Sequence, residues 1–269
     1  MRSETISSRA EARAAGSPWG ASLRGFGNVF RKELSSWTGT RSRWVHPLVW
    51  LAVLIGPLLL PLYLMREVFA AQAAGVLAMG LEMFFTLAAL APAVGAVLLM
   101  QGSVITERQL GTAAWVLSKP VGRSAFLLAK LTANAAALLI AATLLPGAVA
   151  YGLLSLEHGA PLALDSFLRA LALDAVNVLF YLTLTLALGA LVNNRGVVLA
   201  VPLALLLGGD LVLSLAPGLA SVTPWVLGRF AAVVAQGQAL PSAWPVLASL
   251  GWCVVLLAAA LWRFGREDL

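Results

Sequence analysis

Apolar residues fill most of this chain in long blocks, and polar residues collect in the breaks between them. A helix that crosses a bilayer needs about 20 mostly apolar residues. Six blocks reach that length: about Trp44 to Met65, Gly75 to Gln101, Ala125 to Leu156, Ser166 to Val192, Val197 to Leu215 and Trp244 to Trp262. They predict an all-α membrane protein with six transmembrane helices. Pro47, Pro57 and Pro61 should bend the first. Arg66 and Glu67 close it, Asn193-Asn194-Arg195 separates the fourth from the fifth, and Arg263 to Asp268 ends the sixth.

Two stretches break the pattern. Ala216 to Ala243 holds Pro217, Pro224, Pro241, several Gly and one charge, Arg229. It is too apolar for a solvated loop and too broken for a span. A re-entrant or interfacial helical pair is expected, its backbone covered by other protein. Near the start, Trp19, Leu23, Phe26, Phe30, Leu34 and Trp37 recur at steps of three and four, with Arg24, Asn28, Arg31, Lys32 and Ser35 opposite. That spacing predicts an amphipathic helix lying in the membrane interface. Residues 1–18 lack periodicity and read as a disordered tail. The chain therefore divides into a tail (1–18), an amphipathic helix (19–43) and a transmembrane domain (44–269) with a polar loop at 102–124.

Composition agrees. The 269 residues are 60% hydrophobic and only 11% charged, which excludes an ordinary soluble domain. A net charge of +6 could point to nucleic acid, but the basic residues are placed otherwise. With both termini in the cytoplasm, fifteen Lys and Arg fall on inner segments and three (Arg66, Arg169 and Arg229) on outer ones. This bias orients the chain and accounts for its charge with no nucleic-acid partner. The fifteen Arg against three Lys hint at a GC-rich bacterial source, hence a bacterial cytoplasmic membrane.

No catalytic or metal constellation is evident. Cys253 stands alone in an apolar run, and His46 and His158 have no second ligand at metal spacing. The sequence contains no phosphate-binding loop of the Gly-x-x-x-x-Gly-Lys-[Ser/Thr] type and no nucleophile elbow. Three acids do interrupt apolar runs: Glu82, Asp174 and Asp210, with Asn177 one turn from Asp174. Ionisable groups there often mark a translocation path. They would attract a cation or pair with Arg169 or Arg229. Glu82 and Asp174 each stand twenty residues from an inner boundary, so both also fit the outer start of a helix. Asp210 does not, and is the strongest candidate for a path or gate residue.

The segment Glu107-Arg108-Gln109-Leu110-Gly111-Thr112-Ala113-Ala114-Trp115-Val116-Leu117-Ser118-Lys119-Pro120-Val121-Gly122-Arg123, with Lys130 further on, predicts a short helix from Glu107 to Leu117. Ser-Lys-Pro stops it, and Ser124 is placed to cap the next span. By its residues alone it is either a presented helix or a plain connection. The pattern Glu-Arg-x-x-Gly-Thr, an apolar run, then Pro-Val-x-Arg, resembles the cytoplasmic loop of ABC-2 type permeases. Phe30-Arg31-Lys32-Glu33-Leu34 resembles that family's opening helix, and Arg263 to Leu269 its ending. Gly122 and Trp115 depart from it, standing where Ser and an aliphatic residue are common.

The resemblance implies a membrane subunit of an ABC exporter, working as a homodimer or heterodimer. Each copy would rest on a separate ATPase subunit, where ATP and Mg are used, so no cofactor is expected on this chain. Glu107, Arg108, Gly111, Thr112, Trp115, Leu117, Pro120 and Arg123 would couple to that ATPase. Phe26, Phe30, Arg31, Lys32, Glu33 and Leu34 would form the connecting helix. Two other functions stay open from sequence: service to the maturation of an extracytoplasmic protein, and ion-coupled carriage through the three acids.

Overall fold

The structure, a computed structural model, describes residues 23–39, 42–71, 75–103, 105 and 121–266. The expected tail, Trp19 and all of the loop from 106 to 120 lie outside the described residues.

Six helices are long and apolar enough to cross a membrane: Arg43–Leu64 (TM1), Gly75–Met100 (TM2), Arg123–His158 (TM3), Leu164–Leu191 (TM4), Arg195–Leu215 (TM5) and Trp244–Gly265 (TM6). Every expected span is present within a few residues of its expected limits. TM1 and TM3 absorb prolines through wide π turns, at Leu60–Leu64 and Leu139–Leu144. Pro61 lies in the first, and Pro146 follows the second by two residues. Proline lacks the N–H that an α turn requires, and a widened turn accommodates the loss. TM3 begins at Arg123 with Gly122 before it and no side-chain cap, so Ser124 lies inside the helix and does not cap it. TM5 is capped: the Asn194 side chain accepts from the backbone N–H groups of Gly196 and Val197.

TM4 is the axis of the bundle. Of its apolar stretch 72% is buried, against 22% for TM5 and 17% for TM6. Its first half, through Phe167 and Leu171, packs in a cluster with Leu54, Phe84 and Phe85. Its second half, through Tyr181, joins Val97, Phe126, Leu138 and Phe264. The basic residues Arg123, Arg195, Arg263 and Arg266 gather at one end of the helices, here called the basic end. Arg66, Glu157, Asp165 and Arg169 mark the far end.

The amphipathic helix runs from Phe26 to Thr38, shorter than the periodicity implied. Gly25 has φ +80°, and any side chain there would meet Val121; the helix cannot extend back through it. The predicted faces hold from Phe26 onward, whereas Leu23, expected on the apolar face, precedes the helix and is exposed. Val29 and Trp37 are buried and Phe26, Phe30 and Leu34 pack on the core, while Arg24, Asn28, Arg31, Lys32 and Ser35 are exposed. The apolar face finds its cover on the start of TM3, within the protein itself.

Between TM5 and TM6 the chain turns back into the bundle. Two 3-10 turns, Pro217–Ser221 and Pro224–Val226, lead into a helix, Leu227–Ala235. The expected helical pair is thus one α-helix preceded by two short turns. Trp252, two turns into TM6, donates its indole N–H to the Val222 carbonyl at 3.0 Å. A Cβ on Gly228 would lie 2.5 Å from the Ala89 Cβ of TM2. Ala89 stands about 21 Å from the far end of TM2 at 1.5 Å per residue. The segment therefore dips to about mid-depth before Leu227–Ala235 climbs back beside TM2 and TM4.

Candidate functional site

At the basic end, the amphipathic helix is clamped to TM3 by polar contacts. Lys130 has 2% of its side chain exposed, and its Nζ lies 2.8 Å from Glu33 Oε1. The same ammonium sits 5.0 Å above the Phe126 ring, and Phe126 stacks on Phe264 of TM6 at 5.7 Å. One turn further along TM3, Asn134 Oδ1 accepts from the Trp37 indole N–H at 3.0 Å. Asn134 also donates to the Lys130 carbonyl at 2.8 Å. At the mouth of the loop, the Gly122 N–H donates to the Arg24 carbonyl at 2.8 Å. Arg123 donates to the Gly265 carbonyl, also at 2.8 Å.

Phe26, Phe30, Glu33 and Leu34 thus face the bundle, and Arg31 and Lys32 face away. Lys32 Nζ reaches Glu33 at 3.5 Å. Glu107, Arg108, Gly111, Thr112, Trp115, Leu117 and Pro120 lie outside the described residues. Lys130, noted in the sequence only as the tail of a loop pattern, is a buried residue of TM3.

Toward the far end, a cavity of about 400 Å³ opens under the dipping segment. Glu82, Thr86, Ala89 and Leu90 of TM2, and Asn177 and Tyr181 of TM4, form part of its wall. TM5 contributes Leu206, Gly209 and Asp210, and the dipping segment adds Trp225, Gly228 and Arg229. Asp210 Oδ1 accepts from Arg229 Nη2 at 2.7 Å. Of the two arginines considered as partners for the acids, this one pairs. Arg169 instead donates to Asp165 on its own helix at 2.6 Å. Gly209 lets the Trp225 ring lie against TM5, since a Cβ there would fall 2.5 Å from it.

Three of the four path candidates, Glu82, Asn177 and Asp210, therefore line one cavity. Asp174 stands behind the wall, with no exposed surface and no hydrogen bond to either oxygen among the described residues. One turn on, Asn177 donates to the Ala89 carbonyl at 2.7 Å. TM2 starts at Gly75 and TM4 at Leu164, well before Glu82 and Asp174. Neither acid marks the end of its helix. Tyr181, Trp225 and Thr86 were missed in the sequence, where they read as ordinary apolar or small positions. No group of three or more metal-binding side chains occurs among the described residues.

The sequence from residue 27 to residue 269 matches the family model described as "ABC-2 family transporter protein". The chain belongs to the ABC-2 transporter family. No curated protein matches it. The match covers all six spans and almost the whole amphipathic helix. This ABC-2 family member is thus a multi-pass membrane protein of the permease type, in which the cavity and all of the clamp but the Arg24 contact lie inside the matched region.

Proposed function

We propose that this chain is the permease subunit of an ATP-driven ABC-2 exporter, with the basic end in the cytoplasm of a bacterial inner membrane. The observation that carries this reading is the clamp at the mouth of the loop. The loop from 106 to 120 rejoins TM3 at Gly122 and Arg123, where the amphipathic helix is tied on by Arg24, Glu33 and Trp37. A coupling helix from Glu107 to Leu117 would deliver its motion straight to TM3 and to the connecting helix as one body. ATP, with its Mg, is used on a separate subunit, because this chain has no phosphate loop.

A second permease copy covers the TM2–TM5 face. Glu82 and Thr86 are exposed there, as are both members of the Asp210–Arg229 pair, at 71% and 63%. Charged groups at such depth are costly against lipid tails, and a symmetric partner would enclose them. Between two copies, these groups line a path whose outer side is held by the Asp210–Arg229 contact. Lipid covers the remaining apolar surfaces of TM1 and TM6.

Gentle purification from native membranes tests the reading. A co-purifying polypeptide with a phosphate loop, crosslinkable from Trp115 or Leu117, is the expected result. Intact transport by a preparation lacking any such subunit would overturn it.

A further inference from the structure

The cavity under the dipping segment carries unbalanced negative charge. Asp210 is matched by Arg229 at 2.7 Å, but Glu82 makes no ion pair or hydrogen bond among the described residues. Asp174, one turn behind Asn177, is not part of the cavity wall and adds no charge to it. The wall also holds two aromatic rings, Tyr181 and Trp225, whose faces attract cations. Tyr181 is fully buried, and its hydroxyl finds no acceptor among the described residues. Leu90 and Leu206 supply apolar wall beside these polar groups. A volume of about 400 Å³ suits one small amphipathic molecule.

We propose that this cavity binds an amphipathic organic amine in its cationic form. Its ammonium group is held by Glu82, and its apolar body rests against Trp225, Leu90 and Leu206. The proposal rests on the reading of the TM2–TM5 face as the transport path and adds to it a substrate class. A neutral molecule of the same shape would leave the Glu82 carboxylate without a partner. An anion would meet that carboxylate directly, while Arg229 is already occupied by Asp210.

Fluorescence titration of the purified full-length chain, with whatever subunits accompany it, tests this using a matched pair of probes. Dansylcadaverine carries a primary ammonium; its N-acetylated form has the same body without the charge. The amine should bind at least about tenfold more tightly, the range of one charge-assisted hydrogen bond. Glu82→Gln should remove that preference while leaving the acetylated probe unchanged, and Glu82→Asp should keep it. Equal affinities for the two probes on the unaltered chain overturn the proposal, as does a preference for a dansyl carboxylate; neither comparison needs a variant that folds. An unchanged preference in Glu82→Gln overturns it too. If the ATPase subunit co-purifies while the amine preference is absent, the ligand class falls and the permease reading stands.

Discussion

Glu33 of the amphipathic helix and Lys130 of TM3, 97 positions apart in sequence, meet at 2.8 Å with the lysine almost wholly buried. Taking one member from a fully buried pair costs about 3–5 kcal/mol; here loss of Lys130 leaves Glu33, 13% exposed, with only the longer Lys32 contact at 3.5 Å among the described residues. Lys130→Met should therefore lower the unfolding temperature in detergent sharply. Glu33→Gln together with Lys130→Met should cost less than Lys130→Met alone. A double variant as unstable as the sum of the two singles would show that the pair is not coupled.

The Asp210–Arg229 contact is predicted to hold the dipping segment against TM5. Asp210→Asn and Arg229→Gln should each impair transport, and the exchange Asp210→Arg with Arg229→Asp should restore part of it. Transport assays in reconstituted vesicles check this. Full activity and normal subunit assembly in Asp210→Ala would remove the gate role.

Close packing of Gly228 on Ala89 makes a steric prediction. The Cβ of Gly228→Ala would arrive 2.5 Å from that of Ala89, and overpacking of this kind costs about 1–3 kcal/mol. The unfolding temperature should fall, and Ala89→Gly in the same chain should recover much of the loss. Tryptophan fluorescence during heating reads both.

Pairing through the TM2–TM5 face separates two equally exposed positions. Leu207 on TM5 and Val254 on TM6 are 66% and 69% exposed in the single chain. With Cys253 replaced by Ser, Leu207→Cys should crosslink two copies in membranes and Val254→Cys should not. The reverse pattern would move the interface to TM6.

Sidedness follows from the same cysteine-free background. His158→Cys and Gln238→Cys, both exposed at the far end, should react with an impermeant maleimide on intact cells. Ser35→Cys and Asn193→Cys, at the basic end, should react only after the membrane is opened.

The spans were legible because an apolar run of bilayer length admits few other structures, and all six recur in the fold. Their ends were less so. TM4 starts at Leu164 despite Asp165 and Arg169, which pair with each other across one turn and are tolerated at the end of a span. The amphipathic faces were legible from spacing, but the stop at Gly25 depends on its contact with Val121, which sequence does not reveal. Each acid of the cavity drew notice singly, as a charge in an apolar run. Their convergence did not, since it depends on how TM2, TM4 and TM5 lean together. Lys130 left a usable signal, a lone lysine seven residues into a span. Its partner lay too far away in sequence to be named.

The dipping segment also bears on the order in which the protein is built. Its 3-10 turns leave backbone groups that lipid cannot satisfy, and its cover comes from TM2, TM4 and TM6, the last of which is made after it. It cannot settle when it first leaves the ribosome and must wait until TM6 has been inserted. The last piece of the far side to be laid down is then the one that closes the cavity, so a chain that ends before TM6 lacks a wall as well as a helix.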